Sequence, residues 1–277
     1  MSSAYAKQRQ PDLFTGFPGP IVEADWLAQH VMSPALRIVD LRDRQNYDAG
    51  HLPGAVWFDR TMLSRTCEDH SVTLISSALF ASVIGRLGIS NTTPVVAYDD
   101  VWGMHAARFV WALWRYGHTQ AAVLSGGVDA WTHAKQRVTR SRVLCYPQTF
   151  VATPDATQRA DMLWLVSHAN DRQFLLLDVR EEYEYVAGHL PGARHWEWQN
   201  AISTRSWAML HHPESLRERL ISAGITPNQR IVTYCNAENR AAHTLVMLRS
   251  LGYPDVRLLD DAWRSRVKVA ALAAAMD

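Results

Sequence analysis

The sequence predicts an α/β protein built from two tandem domains, each a central parallel sheet flanked by helices. Three observations predict it. The chain contains a duplication, short β-branched runs alternate with stretches of helical spacing, and the composition is globular: of 277 residues, 48% are hydrophobic and 20% charged. The length suits about two average domains.

The duplication comes first, because it sets the register for everything else. Ile38-Val-Asp-Leu-Arg42 is followed by Tyr47 and by Gly50-His-Leu-Pro-Gly-Ala55, and Leu176-Leu-Asp-Val-Arg180 by Tyr185 and Gly188-His-Leu-Pro-Gly-Ala193. Val95 to Tyr98 answers Ile231 to Tyr234, Ala106-Ala107 answers Ala241-Ala242, and Val128-Asp-Ala-Trp131 answers Asp260-Asp-Ala-Trp263. Chance gives one such match, not an ordered series.

The elements follow in order. Residues 37–41 and 174–179 are short apolar runs of the kind that forms buried parallel strands. Pro-Gly then marks a turn in each copy. Residues 95–98 and 231–234 are the next strands, each followed by helical spacing over 106–116 and 239–251. Gly117 and Gly252 stand where helix C-caps belong. Residues 121–124 and 256–259 complete each set, the former with two alanines that disfavour a strand. Periodicity fades across Pro147 and Pro154. The expected organisation is therefore a domain over 20–140, an extended linker over 141–157 packed across the halves, and a second domain over 158–277. Met1 to Gly19 reads as a loose arm.

Composition excludes several functions. With 28 basic and 27 acidic residues the net charge is +1, so general attraction for nucleic acid or a membrane surface is not expected. The longest uncharged run, residues 70–85, is too short and too polar to span a bilayer. Residues 1–20 carry Lys7, Arg9, Asp12 and three prolines without an apolar centre; a secretory leader is not expected, and a cytoplasmic setting is. Cys67, Cys145 and Cys235 are widely spaced, which argues against a disulfide framework and a cysteine-rich zinc site.

Cys235 is the informative cysteine. It follows one strand where Asp99 follows the matching strand of the first copy. A position that accepts a carboxylate reads as polar and reached by solvent. Cys235-Asn-Ala-Glu-Asn-Arg240 then spans the turn from strand to helix, where successive main-chain N–H groups converge on one point. A thiolate seated there would be stabilised, its pKa lowered, and it would serve as a nucleophile. Arg240 offers a fork of donors at the loop mouth. As a cation in a first helical turn it calls for an anionic partner.

These motifs resemble the rhodanese superfamily. The paired Asp-x-Arg…Tyr-x-x-Gly-His-Leu-Pro-Gly-Ala signatures, the strand–Cys–loop–helix and Gly126-Gly-x-x-Ala-Trp131 carry the resemblance from about Ile21 to Trp263. It is to the tandem sulfurtransferases, whose N-terminal copy has Asp in place of the catalytic Cys; Asp99 and Cys235 match. The resemblance implies two rhodanese-like domains and a ping-pong transfer of sulfane sulfur through a persulfide on Cys235, from a small-molecule donor to cyanide, a thiol or a protein acceptor. It implies no metal and no organic cofactor. Loop residues Asn236, Ala237, Glu238, Asn239 and Arg240 would bind substrate. Arg180 and Trp198 are further candidates, the first with a structural ion pair to Asp178 as the stronger alternative, the second with an ordinary core position as an equal one. His51 and His189, present in both copies, read as hydrogen-bonded turn residues.

The donor rests on finer points. Mercaptopyruvate-type members place an arginine four positions past the Asp-x-Arg arginine. Here that position is Glu184. The six-residue loop ending in Arg, with Trp196-Glu-Trp198 after the second signature, is similar to thiosulfate sulfurtransferases of the Azotobacter type, and thiosulfate is the expected donor, with 3-mercaptopyruvate the alternative. Glu238 would repel a dianion unless a cation neutralises it. A phosphatase or arsenate reductase needs Cys-x5-Arg, and this loop is one residue short. A persulfide carrier or an inert binding module stands as the non-enzymatic alternative.

Overall fold

The computed structural model describes residues 16–66, 72–203, 212–260 and 273–274. Cys67, Trp263 and most of the expected N-terminal arm lie outside them.

In the first half the elements are β1 (Ile21–Val22), α1 (Ala24–His30), β2 (Arg37–Asp40), α2 (Arg44–Ala49), β3 (Ala55–Trp57), β4 (Ser64–Thr66), β5 (Val72–Leu74), α3 (Ser77–Arg86), β6 (Val95–Tyr98), α4 (Met104–Arg115), β7 (Ala121–Leu124) and α5 (Gly127–His133). In the second half they are β8 (Arg159–Ala160), α6 (Met162–His168), β9 (Phe174–Asp178), α7 (Glu182–Ala187), β10 (Arg194–His195), α8 (Pro213–Ser222), β11 (Arg230–Tyr234), α9 (Asn239–Ser250) and β12 (Val256–Leu259).

The duplication is topological as well as sequential. One five-stranded sheet runs β3-β2-β6-β7-β1 and the other β10-β9-β11-β12-β8, with every neighbouring pair parallel. Even the register repeats: Asp40 faces Tyr98 and Asp178 faces Tyr234. Each Pro-Gly closes a turn, from Ala55 N–H to the Leu52 carbonyl and from Ala193 N–H to the Leu190 carbonyl, both at 3.0 Å. Gly54 and Gly192 take φ of 77° and 70° there, the left-handed position a type II turn reserves for glycine.

Residues 121–124 form a strand although two of them are alanine. The reason is position: all four are buried between β6 and β1, and burial overrides a modest intrinsic preference. The strands expected over 37–41 and 174–179 stop one residue earlier, at Asp40 and Asp178. Residues 140–155 carry no helix or strand and run along the first domain. Gln148 N–H bonds the Gly85 carbonyl and Thr153 N–H that of Tyr116, at 2.9 and 3.0 Å.

The core decides where the site falls. Apolar clusters with Leu27, Ile38 and Trp131 in the first half, and with Leu165, Leu176 and Leu190 in the second, cover the outer face of each sheet. The inner faces share one continuous cluster that runs from α3 and α4 to α9 and includes Cys235. In α4 every residue from Ala106 to Trp114 is buried, and in α9 every residue from Ala241 to Leu248. A helix buried on all sides must be sandwiched; here each lies between its own sheet and the other helix. Their N-termini bring the loops after β6 and β11 together at the seam. Among the described residues no helix is long and apolar enough to cross a membrane.

Candidate active site

Cys235 sits immediately after β11, the middle strand of its sheet. Main-chain N–H groups of Ala237, Arg240 and Ala241 bond its sulfur, and the Arg240 guanidinium reaches it too. Asn236 and Ala237, at the rim, are exposed, and Asn239 and Arg240 are half-buried. The sulfur itself is nearly sealed, the residue keeping 7% exposure. Sequence reasoning expected a lowered thiol pKa. The direction is the reverse: burial raises it, outweighing the backbone donors and Arg240.

The first copy shows what this cradle is for. The Asp99 carboxylate fills it, accepting main-chain N–H groups from Val101, Gly103, His105 and Ala106 at 2.8–2.9 Å. Asp99 is fully buried. The expectation that the position is reached by solvent is therefore corrected. A carboxylate is tolerated because four donors replace its water, not because water reaches it. The loop is an anion cradle with its own anion built in.

Charges of the Cys235 loop are cancelled in two pairs by residues outside it. Arg240 binds Glu184, with one N–H contact at 3.1 Å and a closer one beside it. Asn236 donates to the same carboxylate at 2.5 Å, as does the main-chain N–H of Glu181 at 3.2 Å. The Arg240 bonds pull the Glu184 carboxyl below its usual range. Glu184 thus caps α7 and anchors the loop at once, and it supplies the partner that a cation in the first turn of α9 calls for.

Glu238 turns the other way. Its φ of 63° is left-handed, the conformation Gly103 has at the matching helix start, and for a side chain with a Cβ that costs about 1–3 kcal/mol. Its carboxylate is buried against Arg108 of the first domain, which donates through Nε and Nη2 at 2.9 and 2.7 Å. The feared repulsion of an anionic donor is thereby met by a cation from the other domain. Burial still raises the Glu238 carboxyl to about 7, with Arg108 pulling it down and Asp260 adding to the rise.

The seam has a pseudo-twofold logic. Arg108 and His243 hold the same register after the paired alanines, and each reaches the opposite loop. His243 Nε2 donates to the Trp102 carbonyl at 3.2 Å. Burial pushes its pKa down to about 4, so it is neutral at pH 7. His105 meets Asn239 across the same gap.

Two candidates stand apart from the loop. Arg180 is 3% exposed, gripping Asp178 at 2.6–3.1 Å and the Gly188 carbonyl at 2.8 Å; Arg42 does the same with Asp40 and Gly50. This geometry matches the structural ion-pair alternative. Trp198, 6% exposed, packs edge-on against His243 with centroids 5.2 Å apart, which is a core position. His51 and His189 stack on Tyr47 and Tyr185 and bond their carbonyls at 2.9 Å. Sequence reasoning missed Arg108, His105 and the anchoring role of Glu184. The available signals were Glu238, a loop carboxylate in need of a cation, and Arg240, a first-turn cation in need of an anion.

Residues 23–134 and 161–266 each match the Rhodanese-like domain family. The chain is 31% identical to the sulfur carrier protein TtuD of Thermus thermophilus, over 89% of this chain and 93% of that one. It is 32% identical to a thiosulfate sulfurtransferase of Corynebacterium glutamicum, over 89% and 87%. The structure of SseA from Escherichia coli, described among 3-mercaptopyruvate sulfotransferases, superposes with a TM-score of 0.78 at 26% identity, covering 89% of this chain and all of that one.

Proposed function

The chain belongs to the rhodanese-like family, with two copies of its domain, and from that premise we propose that it is a sulfurtransferase carrying the sulfane sulfur of thiosulfate to a thiophilic acceptor on Cys235. The observation that carries this reading is the Cys235 sulfur under main-chain N–H groups of Ala237, Arg240 and Ala241, in a cradle whose twin holds the anion of Asp99.

The cycle balances without further reagents. Cys235 loses its proton to solvent, and the thiolate attacks the outer sulfur of thiosulfate. The S–S bond breaks, and sulfite leaves with the bonding pair. The persulfide keeps one negative charge on its outer sulfur, where the loop amides and Arg240 can stabilise it. Cyanide or a thiolate then takes that sulfur, and the electrons of the Cys235 S–S bond return to the thiolate. Because burial raises the thiol pKa, the first half-reaction speeds up as pH rises through neutrality.

Thiosulfate is favoured over 3-mercaptopyruvate by Glu184. At the position where mercaptopyruvate-type members carry an arginine, this chain has a carboxylate committed to Arg240 and Asn236. The arginine that would grip the substrate carboxylate is therefore absent from this position. A second reading is delivery to a protein thiol, supported by the exposed rim of Asn236 and Ala237 and by the similarity to a sulfur carrier.

The test is a cyanide–thiosulfate assay on wild type and Cys235→Ser, with mass spectrometry of the thiosulfate-treated protein. One extra sulfur on the Cys235 peptide and loss of turnover in the serine variant are expected. Full activity in that variant refutes the mechanism, and sulfur uptake without turnover favours the carrier.

A further inference from the structure

The catalytic loop borders a cavity of about 170 Å³ whose wall comes mostly from the other domain. Arg60, Thr61 and Ser64, which follow β3, and His105 and Arg108 of α4 line it, and Asn239 closes it from the loop side. No lining residue is acidic. This matters because the cations nearest Cys235 are already committed: Arg240 to Glu184 and Arg108 to Glu238. The loop offers an incoming dianion little net charge.

Arg60 differs from both. Its ion-pair partner is Asp43 at 2.8 Å, with the two side chains 35% and 71% exposed, and it also donates to the Leu41 carbonyl at 3.2 Å. An exposed pair of this kind holds weakly and exchanges readily for another anion. His105 stands between Arg60 and the loop. It bonds Asn239, and its protonation is opposed by burial and by Arg60, so at neutral pH it offers a neutral ring N–H without charge. It also occupies the register of Arg240, one residue before the paired alanines. The first domain therefore presents a cation, a neutral imidazole and the Ser64 hydroxyl beside the loop that carries Cys235, the Thr61 hydroxyl being committed to Asp59 at 2.7 Å.

We propose that this cavity is the anion subsite of the sulfur donor, in which Arg60, with His105 and the Ser64 hydroxyl, holds the charged head of a small sulfonate or carboxylate while its sulfur faces Cys235. The assignment rests on the sulfurtransferase reading and adds a function for the domain that lacks the cysteine: it recognises the donor's charge.

The probe is a pair of alkylating reagents of nearly equal size, anionic iodoacetate and neutral iodoacetamide, with the Cys235 peptide followed by mass spectrometry in wild type, Arg60→Ala and His105→Gln. The rate ratio of iodoacetate to iodoacetamide is expected to fall about tenfold in Arg60→Ala, while the neutral reagent reports an unaltered thiol. This readout needs no turnover, so it stands or falls separately from the sulfurtransferase reading. Steady-state kinetics of Arg60→Ala then identify the source of the anion. The KM of thiosulfate or of 3-mercaptopyruvate rises about tenfold, more than kcat falls, for whichever donor places its head in the cavity. An unchanged alkylation ratio in both variants overturns the proposal, as does a KM that moves for neither donor.

Discussion

Arg108→Ala removes the cation that two N–H groups, at 2.9 and 2.7 Å, hold against Glu238. Both side chains are 7% exposed, and breaking a buried pair costs about 3–5 kcal/mol when the remaining charge stays ionised. Glu238 has an escape, because it can take a proton. Burial raises its carboxyl from 4.5 to about 7, so the folded chain holds a proton that the unfolded chain releases. This group's contribution to stability is full below pH 4.5 and is lost as pH rises through about 7. The rise corresponds to about 3 kcal/mol. Without Arg108, which pulls the carboxyl down, the folded pKa climbs further. At pH 5.5 both proteins carry a largely neutral Glu238, and the variant loses only hydrogen bonds and packing, about 1–3 kcal/mol. Well above pH 7 the deficit grows by about 1.4 kcal/mol for each unit by which the variant's pKa exceeds that of wild type. Asp260, paired with Arg159 at 3.5 Å, faces the same carboxyl and adds to this climb. Urea unfolding at pH 5.5 and 8.5 measures it, and the deficit should widen by more than about 1 kcal/mol. In a Glu238→Gln background the widening should vanish. Equal deficits at the two pH values would refute the account of this pair.

Two substitutions in the first copy test the cradle. In Gly127→Ala the new Cβ would lie 2.0 Å from the Asp99 carbonyl oxygen at a φ of 56°. Strain and clash together should cost about 3 kcal/mol and lower Tm by about 6–12 °C; a Tm within about 2 °C of wild type contradicts the close approach. Asp99→Asn turns one acceptor oxygen into a donor amide facing N–H groups that held 2.8–2.9 Å bonds. A loss of about 2–4 kcal/mol in urea unfolding is expected, and one below about 0.5 kcal/mol would show that the donors find water instead.

The repeat, the parallel strands and the place of Cys235 were legible in the sequence, because each rests on local pattern. Runs such as Phe174 to Leu177 show what must be buried, the Pro-Gly pairs admit few backbone shapes, and an Asp in one copy against a Cys in the other marks a special loop. The short strands β1 and β8 at the sheet edges, two residues each, offered no such pattern. Neither did the helices α2 and α7, six residues each, whose spacing is too brief to read.

What only the tertiary structure decided is where each charge goes. From spacing alone Glu238 calls for a cation and Arg240 for an anion without saying which; Arg108, 130 residues from Glu238, and Glu184, 56 from Arg240, are those partners. The sequence determined that a thiol ends a strand under a ring of amides. Folding determined that the sulfur keeps 7% exposure and that burial outweighs the amides in setting its pKa. Hydrogen-bonding shape is carried by residues adjacent along the chain, whereas desolvation and charge pairing depend on what packs from far away, and no local pattern encodes that.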